Sequence, residues 1–230
     1  MAETQARRYE AAKVGTVTDL GDIYQLAAPL PEQIDAFKRA GCQAPYFPDV
    51  AEKAQIRLAR IFQNCTRTSI APVAVKGERT ILTREPLLMS PTMARLAVNA
   101  HRDERYLEIP GIYDVVRQIA EQEFGKEPED RTALILSQEG EFEIRSDSDE
   151  AKFLFRRQRE LYFGEFVPSG IIPLVDLKTD SKAGVVNYLA FYYLTQGRSG
   201  LICRVRNLDH DLNAFGVRRV FSGEASAPRN

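Results

Sequence analysis

The sequence predicts an α+β fold, with amphipathic helices in the N-terminal and central parts and a mainly antiparallel C-terminal sheet. Three observations carry this expectation. Up to Gly164, apolar residues recur at helical spacing in several windows, each with its own start or stop signal. From Gly170 onward the texture changes to the short apolar or alternating runs IIPLVDL, VVNYLAFYYL, LICRVRN and VRRVFS, with Gly or Asp turns between them. No repeat, low-complexity tract or clear linker interrupts the 230 residues, so one domain over 1–230 is expected, divisible if anywhere into 1–110 and 111–230.

Residues 1–15 are expected to be poorly ordered, and 16–28 hold β-prone pieces broken by Gly21. Pro31 suits the first turn of a short helix carrying Ile34 and Phe37, which Gly41 stops. Residues 42–48 read as a loop. Asp49 and Glu52 form a capping box, and Ala51, Ala54, Leu58, Ile61 and Phe62 give the helix that follows its core face. Residues 68–76 and 80–88 read as two strands around a Lys76–Arg79 turn. Ser90 caps a further helix with Pro91 in its first position, turning Met93, Leu96, Ala97 and Ala100 inward.

After Pro110–Gly111, a helix places Ile112, Val115, Val116 and Ile119 on one side and ends near Gly125. Residues 127–130 form an exposed acidic loop. Residues 132–138 and 141–145 read as a hairpin across Glu139–Gly140. Asp147 and Glu150 make a second acidic capping box, opening a helix of Ala151, Leu154, Phe155, Leu161 and Tyr162 that Gly164 closes. VVNYLAFYYL is read as one strand because β-branched and aromatic residues dominate it. The tail GEASAPRN is expected to fray.

Composition narrows the function. Apolar residues make up 44% of the chain, enough for a substantial core, and the net charge of −1 argues against a uniformly basic coat. The charge is unevenly spread: residues 121–150 carry eleven acidic and three basic side chains, between two stretches in which basic residues prevail. Arginine, whose planar fork suits phosphates and carboxylates alike, supplies 23 of the 31 basic residues. Three sparse cysteines, no apolar signal-peptide core and no apolar run near the roughly 20 residues of a membrane span predict a soluble cytoplasmic protein.

Most catalytic signatures are missing. There is no G-x-x-x-x-G-K-[ST], no G-x-G-x-x-G after a strand and no G-x-S-x-G. His101 sits at a predicted helix end, and His210 lies between Asp209 and Asp211 at no recognisable ligand spacing. Cys42 and Cys65 would be half of a zinc ribbon, but the partner positions are Pro45 and Thr68, which favours two buried thiols. Asp176 and Lys178 match the acidic-x-Lys element of metal-dependent nucleases, with Glu121, Glu143 and Asp147 available as further carboxylates.

Basic side chains form the strongest pattern. Lys53, Arg57 and Arg60 occupy i, i+4 and i+7 of one predicted helix; Lys152, Arg156 and Arg159 repeat the spacing, and Arg95 and Arg102 are seven apart on a third. Lys76 and Arg79 lie in the predicted hairpin turn, Arg84 on the next strand and Arg105 just beyond. Arg204 and Arg206 alternate on a strand, and Tyr192 and Tyr193 could stack a base. Such stripes suit phosphate contacts and equally suit an ordinary solvated surface.

Cys42 and Cys65, followed by KGERTILTREPLLMSPTMARLAVNAHRDERYLEI, give residues 40–110 a layout similar to the compact large-subunit-like protein of type IV CRISPR effector complexes. Where that family has four zinc cysteines, two positions here are Pro45 and Thr68. The resemblance implies a non-catalytic subunit gripping guide RNA and target DNA beside other proteins. The expectation is therefore a cofactor-free, nucleic-acid-contacting subunit of a multiprotein assembly, off the membrane. The alternatives are a protein–protein component of a phage or secretion-type particle, and a Mg²⁺-dependent nuclease using Asp176 and Lys178.

Overall fold

The computed structural model describes residues 9–17, 21–42, 66–68, 70–156, 159–167, 169–175, 177–194, 198–202 and 212–218. Helices and mainly antiparallel sheets make it α+β, as the sequence predicts. Five strands form the smaller sheet, in the order β6(Leu107–Ile109), β10(Gly184–Val186), β4(Ala71–Ala74), β5(Ile81–Thr83), β7(Ala133–Ile135). Eight form the larger, in the order β1(Ala12–Val17), β2(Gly21–Ala28), β13(Leu212–Arg218), β3(Thr66–Arg67), β11(Ala190–Leu194), β12(Arg198–Ile202), β9(Ile171–Val175), β8(Glu141–Arg145).

The larger sheet is not purely C-terminal. β13 pairs with β2 along seven positions, from Leu212↔Ala28 to Arg218↔Asp22. Pairings β13–β2, β10–β6 and β5–β7 all cross residue 110. The β4–β5 hairpin forms, with Val73 opposite Ile81 and Gly77 in the turn at φ +78°, but its second strand ends at Thr83, and Pro86–Met89 is a 3-10 turn rather than strand. The expected 132–138/141–145 hairpin does not form. β7 pairs with β5 in one sheet and β8 with β9 in the other, so Glu139–Gly140 bridges two sheets. VVNYLAFYYL is likewise split: β10 belongs to the smaller sheet and β11 to the larger. Between them Asn187 and Leu189 donate their amides to the carbonyls of Pro72 and Ile70, and the Asn187 side chain accepts from Tyr188.

The helices follow their local signals at the start and tertiary packing in their phase. In α1(Leu30–Arg39), Pro31 sits in the first turn and Gly41, at φ +71°, follows the end. In α2(Pro91–Arg102), the Ser90 hydroxyl accepts from the Met93 amide, as predicted. Its buried face is Ala94, Ala97 and Val98, packed on Leu30 and Tyr188; Leu96 is 46% exposed rather than inward. In α3(Ile112–Gln122), Ile112, Tyr113, Val116 and Ala120 are buried and Val115 is exposed.

The helix predicted from Ala151 to Tyr162 is two: α4(Asp149–Phe155) and α5(Arg159–Phe166). Arg156 ends α4 with φ +47°. The break lets three consecutive apolar residues, Phe153, Leu154 and Phe155, all enter the core beside Tyr162 and Phe163. Phe155 stacks on Tyr162 at 4.2 Å between centroids, with Phe163 edge-on to both. The cap is Ser148, whose hydroxyl accepts from Ala151, rather than Asp147. Glu150 turns away to accept from the Ser137 amide at 3.0 Å, and that bonding holds its carboxyl below the usual range against the opposing effect of burial.

Candidate functional site

The expected phosphate-contacting residues are dispersed among separate environments. Lys53, Arg57, Arg60, Arg204 and Arg206 lie outside the described residues. Arg84 is buried in the core, where its guanidinium sits 3.9 Å from the centroid of the Phe153 ring and donates to the carbonyl oxygens of Phe153 and, at 3.0 Å, Arg131. Arg95 pairs with Asp35 of α1. Lys152 pairs with Asp149 one helical turn earlier, and Arg159 reaches Glu160 at 4.0 Å. The helix break at Arg156 removes the common face that Lys152, Arg156 and Arg159 were expected to share. Arg102 closes α2, and Arg79 lines a cavity beside α3.

Lys76 and Arg105 do come together. With Lys178 they line a groove of about 1260 Å³ whose walls come from four segments distant in sequence. These are the β4–β5 turn, the end of α2 running on to β6, the Glu139–Gly140 connection, and the stretch from Leu177 to Ser181. Hydrogen bonds to backbone carbonyls fix the walls. The Lys76 amide donates to Ser181 O at 2.8 Å, the Thr80 hydroxyl to Leu177 O at 3.3 Å, and the Arg105 amide to Ala100 O at 2.8 Å. Gly140 adopts φ +83°, and a Cβ there would lie 3.6 Å from Lys178 Nζ, so the turn packs the lysine stem against backbone.

The three cations face five carboxylates: Glu78, Asp103, Glu108, Glu139 and Asp180. Lys76 pairs with Asp180 at 3.5 Å and Arg105 with Asp103 at 2.8 Å. Glu78, Glu108, Glu139 and Lys178 make no ion pair among the described residues. Two large exposed apolar side chains, Leu96 and Tyr106, complete the lining. Beneath the turn, Tyr113 donates to Arg79 O at 2.8 Å; burial, and then the nearby Glu78 carboxylate, push its phenol above the ordinary value. A lining that mixes both charge signs with apolar surface suits a polypeptide better than a uniform polyanion.

The other chemical candidates separate. Asp176 is outside the described residues, while Lys178 lies in the groove and Glu121, Glu143 and Asp147 belong to α3, β8 and the turn after β8. Among the described residues no group of three or more His, Cys, Asp or Glu is placed to hold a metal ion. Pro45, Cys65 and His210 fall outside them too. Thr68, the fourth expected ribbon position, is buried and donates its hydroxyl to Leu189 O at 2.8 Å. His101 sits in the last turn of α2. Tyr192 and Tyr193 lie on β11, opposite Gly200 and Ser199 of β12.

No protein-family model matches this chain, and no curated protein matches it. A solved structure does. It is described as "Accommodation of massive sequence variation in Nanoarchaeota by the C-type lectin fold", and the likeness covers 92% of this chain and 98% of that one, with a TM-score of 0.51 at 11% identity. The chain is folded like a C-type lectin domain. At this identity the likeness concerns the fold alone. Sequence reading missed Leu96, Tyr106, Glu108, Glu139 and Asp180 as lining residues, because only the tertiary fold gathers them. Among the described residues no helix is long and apolar enough to cross a membrane.

Proposed function

We propose that this chain is a non-catalytic recognition subunit, a C-type-lectin-like scaffold that holds a segment of a partner protein in the groove between the β4–β5 turn and the 177–181 stretch. One observation carries the reading. The groove sets three cations, five carboxylates and two exposed apolar side chains around one concave surface, with its walls fixed by hydrogen bonds to backbone carbonyls. Polypeptide ligands offer the matching mixture of charged, amide and apolar groups. The likeness to a fold described as accommodating massive sequence variation supports the view that such a scaffold can carry a recognition surface. The reading keeps the non-catalytic subunit and the protein–protein contact raised from the sequence, in a cytoplasmic setting, but replaces the phage or secretion-type particle with a recognition scaffold.

Nucleic-acid contact is the second reading, favoured by the convergence of Lys76, Arg105 and Lys178 on one groove. The carboxylates interleaved with them weigh against a phosphate backbone there, and membership of a CRISPR-type assembly rests on the sequence resemblance alone.

The test pans a display library of random linear peptides on the full-length protein, with a Leu96→Glu, Tyr106→Ala double variant as counter-target. Peptides enriched on the wild type that lose about tenfold or more in affinity for the variant support the groove reading. Enrichment that ignores the variant, or none, overturns it.

A further inference from the structure

Arg79, beside the groove in sequence, instead lines a second cavity of about 700 Å³, where α3, β7 and the start of α4 meet. β7 is the last strand of its sheet. The Leu136 amide donates to Thr80 O and the Arg84 amide to Thr132 O, on either side of the Leu82↔Leu134 pair. Antiparallel ladders alternate, so Leu134, Leu136 and the Thr132 carbonyl face β5, while Ala133, Ile135 and Ser137 turn their amides and carbonyls to the free edge. Carboxylates occupy two of these three amides. Glu123 accepts from Ala133, as well as from Thr132, and Glu150 accepts from Ser137. Between them, the amide and carbonyl of Ile135 meet no partner among the described residues.

An aromatic stands at the mouth of this cavity. Phe124 is 78% exposed, yet its loop is tightly held. Arg131 donates to the carbonyls of Phe124 and Lys126, both at 2.9 Å, and its guanidinium lies 5.6 Å from the centroid of the Phe124 ring. Glu123 pairs with Lys126 at 2.9 Å. A fixed, exposed ring beside an unpaired strand edge is what an interface anchor requires. The lining carries two exposed carboxylates, Glu121 and Asp149, held only at 3.8 Å by Arg117 and 3.7 Å by Lys152, and the buried Glu150, bonded to the Ser137 amide; of its cations Arg79 and Arg131, Arg131 is committed to the loop.

We propose that the free edge of β7 takes up an extended segment of a partner protein, which pairs with the backbone of Ile135, lays an apolar side chain against Phe124 and brings a basic side chain to the exposed Glu121 and Asp149 carboxylates. Strand addition draws its affinity from main-chain bonds and its selectivity from alternate side chains. The two bracketing carboxylates confine the added strand to a short footprint and keep like edges from stacking without limit. This site shares no named contact with the groove, so either can fail while the other stands.

The test is a second panning of random linear peptides on the full-length protein, counter-selected against Phe124→Ala, a surface change that leaves the core intact. Selected peptides are then bound with and without N-methylation of single backbone amides, and amide exchange at Ile135 is followed. A tenfold or greater loss with Phe124→Ala, a similar loss from one N-methyl group, and slowed exchange at Ile135 are the expected results. Peptides that bind regardless of backbone methylation, or no enrichment over Phe124→Ala, overturn the proposal.

Discussion

Arg218 Nη2 donates to Asp22 Oδ2 at 2.6 Å, across the register pair that joins β13 to β2 and closes 196 residues of chain into one sheet. Lys13 on β1 holds the other carboxylate oxygen at 2.6 Å and Thr16 donates to it at 2.8 Å, so a single acid ties three adjacent strands. Lys13 first, then Arg218 and Thr16, hold the Asp22 carboxyl far below the usual carboxylate range. A depressed folded value stabilises fully above the unfolded value of about 4 and is lost as pH falls through and below it. Asp22→Asn should therefore lower the urea midpoint at pH 7 and at pH 5 alike. The gap from wild type should narrow at pH 3, as followed by circular dichroism.

Arg84 was expected at a phosphate and instead serves the core. Arg84→Ala strips donors from the carbonyls of Phe153 and Arg131 and removes the cation from the Phe153 ring. The expected cost is about 2–4 kcal/mol of stability, measured by chemical denaturation, with peptide binding at the groove unchanged once the variant is folded.

Gly184 on β10 allows α3 to approach the sheet. A Cβ there would meet Ile112 Cγ2 at 2.3 Å and the backbone Ile109 O and Tyr113 N at 3.1 Å. Gly184→Ala should destabilise by about 1–3 kcal/mol, because two of the three neighbours are backbone and the start of α3 must move. Hydrogen exchange should quicken in 112–116 before other helices respond.

Cys42 is half-buried, and burial pushes its thiol up to about 11, with Arg218 working in the opposite direction. Since the thiolate is the nucleophile, iodoacetamide at pH 8 should label Cys42 at least tenfold more slowly than a free cysteine peptide. Peptide mapping by mass spectrometry checks this residue separately from Cys65 and Cys203.

Local signals were readable where the chemistry is local. Ser90–Pro91 marks the start of α2, and the Lys76–Gly77 turn marks the β4–β5 hairpin, because a cap and a positive-φ glycine act over three or four residues. Pairing was not readable where partners are distant. Glu139–Gly140 looks like a hairpin turn, but Ile135 pairs with Ile81 and Ile144 with Ile172, choices made by which faces need covering. Helix phase behaves the same way. Met93 and Leu96 compete with Ala94 and Val98 for the inside of α2, and Tyr188, whose hydroxyl bonds Leu88 O at 2.8 Å, selects the second set. Leu96 is thereby left exposed on the groove, a consequence no window of sequence around it contains.

On the function proposed above, the described cations serve this chain's own carboxylates and a mixed-charge groove rather than a nucleic-acid backbone. The decisive measurement is fluorescence anisotropy of a labelled single-stranded RNA and a DNA duplex, titrated with the full-length protein at low and physiological salt. No binding tighter than about 10⁻⁵ M at physiological salt is expected, and no change on replacing both Lys76 and Arg105 with alanine. Submicromolar binding that falls by orders of magnitude with added salt, and that the double replacement abolishes, would contradict it.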